Sequence, residues 1–151
     1  ERAHYLGSSP VVFHAGFYGK TTKEQAYTAI RDNILIILDE IKKNGWKAPI
    51  APEIAGKHSA FGSVDEILQL RKDTGCDVCI DFAHLYARDM GKLDYKKLFE
   101  RLKPLKHIHA HFSGIAYTEI LENRTDITII CESPITWQDS LKMKKVIEGL
   151  K

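Results

Sequence analysis

Five short apolar runs alternate with segments of helical periodicity along this chain, and this alternation limits the possible folds more than any other feature. Most of the intervening segments are long enough to form a helix. Connections of that length join parallel strands, whereas antiparallel neighbours need only a short hairpin. The pattern therefore predicts an α/β fold with a parallel sheet, whose strands are expected at 10–17, 46–56, 76–81, 106–114 and 126–134.

Capping residues mark the predicted helices between these strands. A long helix is expected from about Thr22 to Lys43, where apolar residues recur on one face. Ser63 and Glu66 form an S-x-x-E capping box for the next helix, and Gly75 ends it. Asp94 begins the helix that follows the third strand. No glycine-rich nucleotide-binding loop follows any of the strands, so the common doubly wound nucleotide-binding folds are disfavoured.

Composition indicates a single domain spanning residues 1–151. The chain is 44% hydrophobic, enough to bury a sizeable core. Its net charge of +2 is too low to hold nucleic acid through charge alone, so any DNA contact is expected to be local. No signal peptide or membrane-spanning run is evident. We therefore expect a cytoplasmic protein without membrane association, with reduced thiols at Cys76, Cys79 and Cys131.

Each of the five apolar runs ends in a residue type that binds metal ions. At the carboxyl edge of a parallel sheet, such residues from neighbouring strands come together. Carboxylates and imidazoles are costly to bury without partners, so five in succession are difficult to explain by core packing. Mixed nitrogen and oxygen ligands suit zinc, manganese or iron. The sequence thus predicts a metal centre, with candidate ligands His14, Glu53, Asp81, His84, His109 and Glu132.

Asp81 and the histidines of the fourth run leave alternatives open. Asp81 alone could cap a helix instead of binding metal. In the fourth run, alternation places His107, His109 and His111 on the same face of the strand. His107 and His111 could therefore line a pocket rather than bind metal.

The motifs that contain these residues resemble those of the endonuclease IV family. They are "VVFHAG", "PEIAGKHSAFGS", "CIDFAH", "HIHAHFSG" and "IICESP", in the family's order and approximate spacing. Members of that family are apurinic/apyrimidinic endonucleases with a TIM (β/α)8 barrel and a multinuclear zinc centre. The resemblance covers nearly the whole chain. It implies that the chain holds the last five strand-helix units, the C-terminal part of a metal-dependent barrel.

The resemblance also implies roles for individual residues. His14 resembles a ligand of the first ion, and Glu53 resembles the carboxylate that bridges the first two ions. His84 resembles a ligand of a third ion. The expected cofactor is Zn²⁺, two or three ions, with Mn²⁺ possible. The remaining ligands of the second ion correspond to Asp81, His109 and Glu132.

Two of the chain's departures from the family concern the third ion and the fourth run. The third ion normally takes an aspartate and a histidine from a D-R-H-like motif, but "IAYTEILENRTD" contains no histidine. Either this site is lost or a stretch is missing near Glu119 to Asp126. In addition, His111 and Phe112 stand where the family usually has an Asn-Asp pair.

The function implied by the resemblance is hydrolysis of the phosphodiester on the 5′ side of an abasic site in duplex DNA. Glu53 and Asp81 would be the catalytic residues that orient the attacking water. From their positions in expected loops or on the fourth strand, further residues are candidates for substrate contacts: Tyr18, Lys20, Lys57, Arg88 and His111.

Two other functions remain open at this stage. A related barrel superfamily of sugar isomerases and epimerases builds one divalent site from Glu, Asp, His and Glu, which Glu53, Asp81, His109 and Glu132 would satisfy. Alternatively, the chain could be a non-catalytic partial barrel. Five strands cannot close a barrel of eight, so such a chain could pair with another to cover its sheet edge. Its oligomeric state is otherwise not determined by the sequence.

Overall fold

The computed structural model describes residues 1–112, 127–131, 141, 144 and 145. They form an α/β arrangement in which helices separate most of the strands. The elements are α1 (Arg2–Tyr5), β1 (Val11–His14), α2 (Lys23–Lys43), β2 (Ile50–Glu53), α3 (Val64–Thr74), β3 (Cys79–Asp81), α4 (Phe82–Arg88), α5 (Tyr95–Leu102), β4 (Ile108–Phe112) and β5 (Ile127–Cys131). Among the described residues, no helix has both the length and the apolar character needed to cross a bilayer.

The chain divides into two compact units, Glu1–Cys79 and Ile80–Lys151. In the first unit, β1 and β2 are parallel, and the register places His14 opposite Glu53. Strand β2 also pairs in parallel with the first residue of β3, Cys79. All of β2 is buried, so its side chains contribute to the core of this unit on both faces. Other buried apolar residues of the first unit include Ala26, Ile34, Ile54, Phe61, Ile67 and Leu70.

In the second unit, β4 and β5 form a parallel pair along their whole length. Helix α4 packs against β4. The ring of Phe82 stacks with those of Tyr95 and Phe99, which joins α4 to α5. The buried apolar residues of this unit include Ile80, Phe82, Leu85, Leu98, Phe99, Leu102, Ile108 and Ala110.

These observations confirm the predicted parallel α/β class and most of the predicted element positions. Helix α4 was not expected, because the sequence predicted that the next helix would begin at Asp94. Asp94 does begin α5, where its side chain accepts a hydrogen bond from the backbone N–H of Lys97. The single domain over residues 1–151 stays a prediction, and the predicted helix after the fifth strand lies outside the described elements.

Capping boxes begin the two longest of the described helices, α2 and α3. On α2, the Thr22 side chain accepts from the N–H of Gln25, and the Gln25 side chain accepts from the N–H of Thr22. On α3, Ser63 and Glu66 make the same reciprocal pair of bonds, as the sequence predicted. The Glu66 carboxylate also accepts from the hydroxyl of Tyr18. Burial raises the pKa of Glu66, but these hydrogen bonds outweigh it and the net pKa is lowered.

The lowered pKa of Glu66 predicts a dependence of stability on pH. A carboxylate whose pKa is depressed by folding stabilises the native state above its unfolded pKa, and this contribution is lost as pH falls through the folded pKa. Glu66→Gln should keep the capping box, because Gln25 closes the same box on α2. We therefore expect wild type to exceed the variant in free energy of unfolding at about pH 6, with the difference shrinking toward about pH 3. Urea unfolding at several pH values measures this, and a pH-independent difference would contradict it.

Candidate metal centre

His14 and Glu53 end the two paired strands of the first unit. Parallel pairing sets them side by side, and His14 Nε2 lies 3.5 Å from Glu53 Oε2. Glu53 is only 6% exposed, whereas the His14 side chain is half exposed. Two ligands on one tetrahedral zinc ion, each bonded at about 2.1 Å, lie roughly 3.4 Å apart. The spacing of this pair therefore fits two ligands of the same ion.

Cys79 is a neighbour of Glu53 that the sequence did not assign to the site. Its Sγ lies 3.9 Å from Glu53 Oε1. Cys76 and Cys79 are both buried and neither is in a disulfide, as predicted for reduced thiols. The strand register, in which Cys79 pairs with Glu53, explains this contact. The C-x-x-C spacing of Cys76 and Cys79 did not indicate it.

A tight loop holds the end of β2 in place. The N–H of Ala55 donates a hydrogen bond of 2.9 Å to the carbonyl oxygen of Gly62. The N–H of Ile54 donates one of 3.1 Å to the carbonyl oxygen of Cys79. Gly62 has a φ of +129°, and a Cβ built there would lie 2.9 Å from the Ala55 nitrogen and 3.0 Å from the Glu53 carbonyl oxygen. The loop thus requires glycine at position 62 to approach the strand that carries Glu53.

Asp81 and His84 lie at the junction of β3 and α4 in the second unit. Asp81 is the N-cap of α4, and its Oδ1 accepts a hydrogen bond of 2.6 Å from the N–H of His84. The His84 ring points back toward the same carboxylate, with Nδ1 3.8 Å from Oδ1. The helix cap that the sequence left as an alternative is therefore present. The cap bond does not by itself exclude metal binding, because a carboxylate can accept several bonds at once.

His109 and His111 form a second group of ligand types in this unit. They alternate on β4, and their Nε2 atoms are 3.3 Å apart. Their rings meet edge to face, which confirms that they share a face of the strand. A ligand oxygen of Asp81 lies within 4.8 Å of a ring nitrogen of His111. His107 precedes the strand, is exposed, and contacts the Thr128 hydroxyl over 3.0 Å, so it is not part of this group.

The residues expected to contact substrate differ in their exposure and in their place in the fold. Lys20 and Lys57 are exposed in turns, as anticipated for residues that reach a ligand. The Tyr18 hydroxyl donates to the Glu66 carboxylate, which ties it to the start of α3. The expectation that Arg88 lies in a loop was wrong: it is the last residue of α4 and is buried. Contact with substrate stays a prediction for all of these residues.

Two predicted features fall outside the described residues. Glu132, the remaining candidate ligand, is one, and the segment from Glu119 to Asp126 is the other. Each unit nevertheless offers a buried carboxylate with at least one imidazole beside it, and a donor set of carboxylate oxygen and imidazole nitrogen fits Zn²⁺ or Mn²⁺.

Comparison with known proteins identifies the family to which the chain belongs. The sequence model of the xylose isomerase-like TIM barrel family matches residues 1–133, and the chain belongs to that family. The predicted TIM-barrel fold class is thereby confirmed, as is the broad superfamily. The match does not separate an endonuclease from an isomerase.

One relative adds information about length. An uncharacterized protein of Methanocaldococcus jannaschii is 32% identical over 172 residues, which cover 93% of this chain and 63% of the relative. The chain therefore spans less than two thirds of that protein. Because the aligned stretch is longer than the 151 residues of this chain, the relative contains residues that have no counterpart here. No solved structure matches the chain with significance.

Proposed function

We propose that this chain belongs to a metal-dependent endonuclease that hydrolyses the phosphodiester on the 5′ side of abasic sites in duplex DNA. The observation that carries the proposal is the pairing of His14 with Glu53 at 3.5 Å. A one-metal sugar isomerase site accounts for Glu53, Asp81, His109 and Glu132, but it leaves His14 and His84 without a role. A multinuclear centre of the endonuclease IV type gives His14 a place on a first ion and His84 a place on a third ion.

The chain's own residues supply the ligands and the orientation. His14 and Glu53 would hold one ion, and Asp81, His109 and Glu132 would contribute to another. When bound, such ions lower the pKa of a coordinated water and neutralise charge that develops on the phosphate. The Glu53 and Asp81 carboxylates would accept hydrogen bonds from the attacking water and fix its direction. Since both carboxylates are buried, bulk water would compete little for those bonds.

Contact with DNA would be local, in keeping with the net charge of +2. Lys20 lies six residues beyond the end of β1, and Lys57 lies four residues beyond the end of β2. Both ammonium groups are on exposed turns and would bind backbone phosphates without reading the base sequence. Recognition of damage would then rest on the pocket that accepts the abasic nucleotide.

Incision of a labelled duplex with one abasic site tests the proposal. The purified chain, supplied with Zn²⁺ or Mn²⁺, should cut on the 5′ side and leave a 3′ hydroxyl. An undamaged duplex and a chelator-treated sample should not be cut. Glu53→Gln should lower the rate at least about 100-fold, because even partners of metal ligands contribute about 10–100-fold. Absence of incision together with metal-dependent turnover of a ketose or aldose would replace the endonuclease with the isomerase.

A further inference from the structure

The loop after β1 and the loop after β2 are tied together in the first unit. The N–H of Tyr18 donates a hydrogen bond of 3.3 Å to the carbonyl oxygen of Ser59. The N–H of Phe61 donates one of 3.1 Å to the carbonyl oxygen of Gly16. Each loop directly follows the candidate ligand at the end of its strand. Movement of either loop would therefore move a ligand.

The Tyr18 side chain adds a second connection, to the start of α3. Its hydroxyl oxygen lies 2.7 and 2.9 Å from the two oxygens of the Glu66 carboxylate. Its ring meets that of Phe61 edge on, with the ring centroids 6.3 Å apart. A hydrogen bond to a charged acceptor is roughly twice as strong as one between neutral groups. The loop after β1 is thus anchored on α3 as well as on the neighbouring loop.

The same carboxylate also holds the loop after β2. Glu66 Oε2 accepts hydrogen bonds from the N–H of Gly62 over 3.2 Å and from the N–H of Ser63 over 2.9 Å. Gly62 in turn approaches the strand so closely that a Cβ there would lie 3.0 Å from the Glu53 carbonyl oxygen. A continuous set of contacts therefore runs from Tyr18 through α3 to the backbone of Glu53.

We propose that Tyr18 is a positioning residue, whose bond to Glu66 holds His14 and Glu53 at the spacing of two ligands on one ion. The inference rests on the proposed metal binding by His14 and Glu53, and it gives Tyr18 a role that needs no contact with substrate. The His14 side chain is half exposed, so its position depends on the backbone of the loop that follows it. Misplacement of reacting groups by about 1 Å can lower a rate roughly 100-fold.

Tyr18→Phe removes only the hydroxyl, and Tyr27→Phe is its matched control. The Tyr27 hydroxyl donates to a carboxylate oxygen of Asp73 over 2.6 Å. Its ring also lies beside Phe61, with the centroids 6.1 Å apart. Both variants thus lose one bond from a tyrosine to a carboxylate on α3. Asp73 differs from Glu66 in that it lies in the last turn of α3 and not at the start beside the loop after β2.

Amide hydrogen exchange of the metal-free chain gives the first readout. The N–H groups of Ala55 and Phe61 bond within and between the two loops. Tyr18→Phe should speed exchange at both by at least about 10-fold, because the loops lose a bond to a charged group. Tyr27→Phe should leave both at the wild-type rate. Unchanged exchange at these amides in Tyr18→Phe would overturn the inference.

Metal affinity and incision kinetics separate positioning from substrate contact. Tyr18→Phe should weaken Zn²⁺ binding about 10-fold and lower kcat with KM unchanged, whereas Tyr27→Phe should do neither. A raised KM with wild-type Zn²⁺ affinity would assign Tyr18 to substrate binding and refute the positioning role.

Failure of the positioning role can be told apart from failure of the proposed function. Faster exchange and weaker Zn²⁺ binding in Tyr18→Phe, without incision by the wild-type chain, would keep the positioning role and reject the endonuclease. Incision at equal rates by wild type and Tyr18→Phe would keep the endonuclease and reject the positioning role.

Discussion

Asp81→Asn is expected to weaken metal binding by at least about 100-fold while leaving the metal-free protein folded. Asparagine and aspartate are about equally good N-caps, so the hydrogen bond from the His84 N–H to position 81 should survive the change. The amide oxygen is a far weaker ligand than a carboxylate for a divalent ion. The free energy of unfolding of the metal-free variant should therefore stay within about 0.5 kcal/mol of wild type. Isothermal titration with Zn²⁺ and urea unfolding in chelator measure the two quantities.

Asp94 provides the matched control for Asp81. It caps α5 in the same way, through a bond of 3.0 Å from the Lys97 N–H, but it is exposed. Asp94→Ala should cost about 1 kcal/mol of unfolding free energy and leave the affinity for Zn²⁺ unchanged. If Asp81→Asn retained wild-type affinity, Asp81 would be a helix cap alone and its assignment as a ligand would be wrong.

Gly62→Ala is expected to destabilise the protein by roughly 3 kcal/mol or more. Two costs add at this position: alanine is strained at a φ of +129°, and its Cβ would overlap backbone atoms of Glu53 and Ala55. Neither contact involves the far end of a flexible side chain that could move aside. A displaced β2 end would also carry Glu53 away from His14, so the affinity for metal should fall with the stability. Urea unfolding and Zn²⁺ titration measure both effects.

Gly75→Ala separates steric overlap from backbone strain. Gly75 ends α3 with a φ of +78°, but a Cβ there would meet no atom within 4 Å. This variant should lose only about 1–2 kcal/mol, the cost of a left-handed alanine, and should bind metal as wild type does. Equal losses for the two glycine variants would show that the close approach to Glu53 is relaxed at little cost.

Much of the fold could be predicted because local signals agree with the tertiary structure. The S-x-x-E box at Ser63 and the glycine at position 75 delimit α3 as expected, and α2 begins beside Thr22. Helix α4 was missed because its seven residues are too few to establish a helical period. The start of α4 depends on the Asp81 side chain as its N-cap. The sequence suggested this capping role only as an alternative to metal binding.

The candidate site was predictable in its residues but not in its contacts. Strand ends identify His14 and Glu53 as ligand types, yet only the parallel register sets them opposite each other. Alternation on β4 predicts that His109 and His111 share a face, but not that their Nε2 atoms are 3.3 Å apart. The contact between Cys79 and Glu53, and the approach of Gly62 to β2, depend on packing between segments distant in sequence.

The number of ions bound per chain tests the central claim most directly. Metal analysis of the purified chain after dialysis against trace Zn²⁺ should give at least two tightly bound ions, and their removal by a chelator should abolish incision at abasic sites. His14 and Glu53 would hold the first ion, and Asp81, His109 and Glu132 would hold the second. A single exchangeable ion, or none, would contradict the account.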